Sequence, residues 1–414
     1  MAKKRSKIKI SIEVIVVLVL IALIAAIVCY FALPEFRKRA DDYFQAIFGA
    51  DERGQNTAKG ESELRVHYLD VGQGDSIFIE FPDDTVMLID SGNGRNTGET
   101  DTSRYIVGYL EDLGVEVIDY LMLTHSDADH VGNMVQVLEA FEVEKAFVPY
   151  IEDGVITAQV YTKFVAELEE EKYTAEDGGT QPCEIVISQM GVLIESENQT
   201  DEFFMAFLSP SDYRDPEGEY YELNHAKSPS AEQKNAVSPI VLLEYMGKKI
   251  VFTGDVTGEP AEKVMQRYES GVYNNMFPKR GGETYYAVNL DGGADVYKAA
   301  HHGSMTHGSN AAEFIDFIAP KNAVICVGEG NSYNLPDSDL LQLFSEREIP
   351  VYRTDENGTI VVTVYPEEEK AISLYLTAQE QTAGSTAEAA KEGLAYAVSR
   401  RKITVNFVFG AAIA

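Results

Sequence analysis

The stretch Thr124-His125-Ser126-Asp127-Ala128-Asp129-His130-Val131-Gly132 holds four metal-ligating side chains within six residues. Imidazoles and carboxylates gathered into so small a volume suit hard or borderline divalent cations such as zinc or manganese. The plain alternative is a polar loop with an Asp helix cap. A cap needs one Asp; it leaves a second Asp and two His unexplained.

The flanking residues say what positions this stretch. Val117 to Leu123 is a mostly apolar, strand-like run, and Val131, Met134, Val135, Leu138 and Phe141 follow with helical spacing. A strand end leading into a helix start is where α/β folds place their chemistry. Ile250-Val251-Phe252 is a second apolar run, and it ends in Thr253-Gly254-Asp255. A carboxylate there can bridge two metals through its two oxygens. His301-His302-Gly303-Ser304 offers two more imidazoles. Upstream, Leu69 to Ser76 is a Gly-rich turn, and Met87-Leu88-Ile89 ends in Asp90.

Together these stretches resemble the metallo-β-lactamase superfamily, and more narrowly the hydrolase domain of ComEC-type competence proteins. The motifs are LDVGQGDS, LIDSG, THSDADHVGN, FTGD, KAAHHGS, NSYNLP and RTDENG, in the expected order across about residues 64 to 377. The resemblance implies an α/β fold, the four-layer αββα sandwich. It also implies two divalent ions, zinc or manganese. His125 and Asp127 would sit on one ion, Asp129 and His130 on the other. Asp255 would bridge, and His301 or His302 would complete a shell. Such a pair of ions clamps a phosphodiester and lowers the pKa of the attacking water. Asp129 and His307 are the candidate catalytic residues. Where HxHxDH enzymes have a second His, this chain has Asp127. The added hard oxygen tilts the site toward manganese or mixed occupancy, and resembles phosphodiesterase branches more than the β-lactam branch.

Two positions depart from the family pattern. Leu335 stands where the pattern has His, and His307 stands where it has Ser. Either His307 has taken over protonation of the leaving group, or it is an exposed residue in a Gly-Ser loop. Asp90 is read either as orienting a ligand His or as capping a turn. Asp70 and Asp75 fix the first turn, with Asp75 the better site candidate. His225 reads as a surface residue, although many superfamily members place a third His ligand in its interval. Asn235 and Ser238 fit the ComEC-type pattern of that region better. His67, alternating within a strand, reads as structural, and Ser304 as a turn cap. Tyr268, Tyr273, Phe277, Lys279, Arg280, Tyr285 and Tyr286 form either a base-stacking platform or a packed cover.

Composition bounds the rest. The 414 residues carry a net charge of −33, of which the first 39 contribute +6, leaving −39 for the remainder. A surface so acidic repels polyanions at long range, and no dense basic stripe marks a nucleic-acid groove. Bound metals would still make the field at the site positive. Three cysteines make no disulfide framework. Val14 to Leu33 is 20 uncharged residues, which predicts a transmembrane helix. Five basic residues before it and three after favour a cytoplasmic N-terminus and an extracytoplasmic catalytic domain at the cell membrane. A cleaved signal peptide is the alternative.

The expected organisation is 1–39 basic stub and single-pass anchor, 40–63 linker, 64–377 hydrolase domain and 378–414 Ala/Glu-rich tail. Expected partners are the membrane and a phosphodiester substrate, either single-stranded DNA or a cell-wall polymer. Hydrolysis of cell-wall or small-molecule phosphodiesters, of the phosphorylcholine-esterase kind, and a non-catalytic metal-binding module are the competing functions. The oligomeric state is unknown from sequence.

Overall fold

The computed structural model describes residues 59–376, except 61, 95–101, 176, 197–201 and 366–371. The expected membrane helix, the basic stub, most of the linker and the tail lie outside the described residues. Among the described residues no helix is long and apolar enough to cross a membrane.

Two mixed sheets carry the fold. The first has eight strands, in the spatial order Ile372–Leu376, Ile360–Val364, Leu64–Tyr68, Ile77–Glu80, Val86–Ile89, Val117–Met122, Glu142–Val148 and Glu184–Ile187. The second has seven, in the order Val351–Arg353, Ala323–Ile325, Val296–Lys298, Lys248–Phe252, Val241–Tyr245, Phe203–Phe207 and Leu193–Glu195. Alternation along the strands divides each sheet between two cores. Leu64, Val66 and Tyr68 meet Phe203, Met205 and Phe207 in the core between the sheets. Phe204 and Ala206 face the other way, toward the helices Gly258–Glu269, Ala312–Ile318 and Ser338–Glu346. On the outer face of the first sheet, Phe78, Leu88 and Leu121 pack on the helices Thr102–Asp112, Met134–Ala140 and Gln159–Glu170. Helices, sheet, sheet and helices are thus stacked in four layers, as expected.

Each sheet has a parallel segment. Val86–Ile89, Val117–Met122 and Glu142–Val148 run parallel, as do Lys248–Phe252, Val296–Lys298 and Ala323–Ile325. Parallel strands deliver their following loops to one edge. Asp90, the His125 loop, Asp255 and the His301-His302 turn all follow such strand ends.

The aromatic-basic segment is a packed cover rather than a stacking platform. Tyr273 and Phe277 are buried, Tyr286 stacks on Phe204 at 4.6 Å, and Lys279 and Arg280 pair with Glu202 and Glu195. Cys183 and Cys326 are free and buried, so no bridge joins them.

Candidate metal centre

Four side chains from four loops meet at one point. Asp75, His130, Asp255 and His302, all buried, bring ligand atoms within 4.8 Å of one another. Asp255 is at the middle. Its Oδ1 lies 3.3 Å from His130 Nε2, and its Oδ2 lies 3.5, 3.8 and 4.0 Å from the Nε2 atoms of His302, His301 and His125. Asp129 reaches His302 Nε2 at 3.3 Å.

Local backbone explains how these groups are aimed. The helix start after the first ligand stretch is only one turn, Ala128–Val131. Its next residue, Gly132, lies against another loop: an added Cβ would sit 2.1 Å from Gly94 N and 2.5 Å from Gly92 O. Only glycine permits that approach, which clamps the His130 loop to the Asp90 loop. His301 and His302 both adopt left-handed backbone, φ 49° and 53°. Such non-glycine conformations cost on the order of 1–3 kcal/mol each and collect at functional sites.

Surrounding partners hold the rings. Asp90 accepts from Thr124 N and Thr124 Oγ1 at 2.8 and 2.6 Å, and faces His130 Nδ1 at 2.7 Å. Asp90 therefore orients an imidazole, one of the two readings open for it. The backbone carbonyl of Cys326 lies 3.0 Å from His302 Nδ1. Ser238 Oγ lies 3.3 Å from His125 Nδ1. Each inner Nε2 is then left for the centre of the site.

Charge at the site is finely opposed. Burial disfavours a charged His302, but Asp255, Asp129 and Asp75 outweigh it and lift the ring to about 10. His130 rises for the same reason beside Asp255 and Asp90. Burial would neutralise Asp255, yet His302, His130 and His125 hold its carboxyl well below the usual range. Burial and neighbouring His130 lower His125. Any cation entering must displace protons from His302 and His130, so its affinity falls as pH falls.

The remaining candidates have other partners. Asp127 sits at the N-cap position of the short helix, but its side chain makes no capping hydrogen bond; it contacts Lys234 Nζ instead. His307 is half-exposed and pairs with Glu232 at 3.3 Å. His225 is exposed and stacks on Tyr221 at 3.8 Å, away from the cluster. His67 is buried between Glu80 and Tyr109, a structural role. Asp70 accepts from Gly72 N within its own turn, and Ser304 accepts from Thr306 N.

Two residues were not legible as site residues. Lys298 is fully buried, contacts Asp75, and donates to Gly254 O at 3.1 Å. Asp75 and Asp255 hold it protonated despite burial. A lysine inside the apolar strand Val296–Lys298 was the available signal, because buried charges are paired. Lys234 gave none.

The residues fit a metal. His125, His130 and His302 Nε2, with Asp75 Oδ1 and Asp255 Oδ1, are buried and find no hydrogen-bond partner outside the cluster among the described residues. Buried polar atoms left unpartnered cost free energy. Converging imidazoles and carboxylates that lack other partners are the donor set of a divalent cation.

The fold is an α/β, metallo-β-lactamase-like sandwich with a buried His/Asp cluster that suits a metal. Residues 69–184 match the family model described as metallo-beta-lactamase superfamily. The chain is 29% identical over 310 residues to ComE operon protein 3 of Bacillus subtilis (strain 168), covering 72% of this chain and 33% of that protein. It is 24% identical over 302 residues to competence protein ComA of Neisseria gonorrhoeae, covering 72% and 32%. A metallo-β-lactamase of Cronobacter sakazakii aligns in structure over 49% of this chain and 65% of its own, at 14% identity and TM-score 0.27. The homology to competence proteins supports the ComEC-type resemblance. This chain spans about a third of the length of the curated relatives it matches.

Proposed function

We propose that this chain is a metal-dependent phosphodiesterase of ComEC type, anchored in the membrane with its catalytic domain outside. One observation carries the hydrolase reading: buried, unpartnered imidazole and carboxylate atoms converge on Asp255. Asp129, His130, His302 and Asp255 would hold one divalent ion; His125, Asp127 and Asp255, with His301 beside them, would hold the other. When bound, such ions supply Lewis-acid activation of water and neutralise developing negative charge. The chain's own residues do the rest. Asp90 fixes the His130 ring, Cys326 O fixes His302, and Lys298 balances Asp75. His307, braced by Glu232, protonates the leaving oxygen.

A second reading rests on charge. The −39 carried beyond residue 39 disfavours a long polyanion, and favours cell-wall or small-molecule phosphodiesters over DNA. The test is the purified full chain with manganese or zinc, assayed against single-stranded DNA, a teichoic-acid phosphodiester and a chromogenic diester. Cleavage of DNA alone supports the nuclease reading, and cleavage of the wall polymer the second. Full metal content without cleavage of any substrate makes the domain a binding module. No metal after metal-replete purification ends the enzyme reading.

The anchored topology rests on the uncharged run Val14 to Leu33 and the basic residues before it. Protease added to intact cells is expected to digest the domain. Protection until lysis would place it in the cytoplasm.

A further inference from the structure

The short helix Ala231–Ala236 makes three contacts with candidate site residues. Its Glu232 meets His307, its Lys234 contacts Asp127, and Asn235 Nδ2 lies 3.4 Å from His301 Nε2. The helix is firmly placed. Ser230 and Gln233 close a reciprocal capping box at its start, and Asn235 is buried. Lys234 is therefore delivered to Asp127 by the fold rather than by a chance rotamer of a solvated side chain. Both side chains of the pair are about three-quarters covered, at 23% and 27% exposure.

The two halves of the centre are unequal. On one side, Asp129, His130 and His302 gather around Asp255, and the lysine of that side, Lys298, contacts Asp75 rather than Asp129 or Asp255. On the other, His125 has Thr124 and Ser238 hydroxyls beside it, and the further carboxylate there, Asp127, is already engaged by an ammonium. Lys234 is a competitor: it occupies the carboxylate that a second dication would need.

We infer that Lys234 is a built-in cation at the second metal position, making the centre one tight site and one weak, conditional site. The inference rests on the metal-centre reading above and says how its two positions differ. A lysine ammonium neutralises Asp127 without bridging to Asp255, so the apo half-site is stable and poorly receptive. The second ion binds only by displacing Lys234, and hydrolysis that needs both ions then follows free metal concentration. Lys234 is a positioning residue here, not a catalytic one.

The test is manganese binding to the chelator-stripped full chain, read by calorimetry and by the exchange-coupled electron paramagnetic signal of a two-ion centre. Wild type is expected to take one tight ion and one weak ion, with the coupled signal appearing only at high metal. Lys234→Met keeps the aliphatic stem and removes the charge. Removing a positive charge beside a dication, at an effective dielectric of about 20, tightens the second ion by on the order of tenfold or more. Lys234→Arg keeps the charge and leaves the second ion weak. Asp127→Asn keeps the first ion and abolishes the second. Retention of the first ion in each variant reports an intact fold. Two equally tight ions in wild type, a second ion unchanged or loosened in Lys234→Met, or two ions in Asp127→Asn would each overturn the inference. No ion in any protein would instead refute the metal-centre reading itself.

Discussion

Asp255→Ala is expected to remove both activity and most of the bound metal. Among the described residues, Asp255 is the one carboxylate that faces His125, His130, His301 and His302 together, at 3.3 to 4.0 Å. Losing it leaves these rings without their common anionic partner. Metal clamping contributes several kcal/mol to such reactions, so the loss in rate is about a thousandfold or more. Elemental analysis checks the binding half of the claim. Full metal content in Asp255→Ala would show that this carboxylate does not bridge, whatever the activity. Asp255→Asn is the companion variant: it preserves shape and one oxygen, and is expected to keep fold while lowering metal occupancy.

His307→Ala is expected to slow turnover by about 10²–10⁴-fold, the range of a general acid, with metal content intact. The carbonyl of His307 lies against Gly258, where an added Cβ would approach it at 3.2 Å. Gly258 opens the helix that follows Asp255, so the His307 backbone packs on that helix start. Glu232 lies 3.3 Å from its Nδ1. Leu335, in the place of the family His, is half-buried and held by Asn331, which donates to its carbonyl at 2.7 Å. The defect should shrink for a nitrophenyl diester, whose leaving group needs little protonation. Equal losses on good and poor leaving groups would deny the acid role. No loss on either would make His307 a bystander, and would point to a substrate unlike that of the family.

Much of the fold and the donor set was legible from residues near one another in sequence. Apolar runs ending in Asp90, His125, Asp255 and His301 marked strand ends, because a strand that packs on both faces must be apolar and must end where polar residues begin. The four-layer sandwich was what the resemblance carried by the seven ordered motifs implied, and the packed sheets agree with it, each having helices on its outer face. Residue chemistry is also local: two imidazoles and two carboxylates in six residues state their purpose without a fold. What tertiary structure decided is how distant side chains divide the work. Asp90 could cap a turn or orient a ring until its loop was placed beside His130, 40 residues away. Asp127 could cap the helix start until its side chain was seen to make no cap and to meet Lys234, 107 residues away. Lys298 could be a surface lysine until its strand lay in the sheet centre beside Asp75. The aromatic-basic segment could stack bases until Tyr273 and Phe277 were buried. In each case the residue type allows several partners, and only packing selects one, because partner choice depends on separations in space that no local pattern encodes.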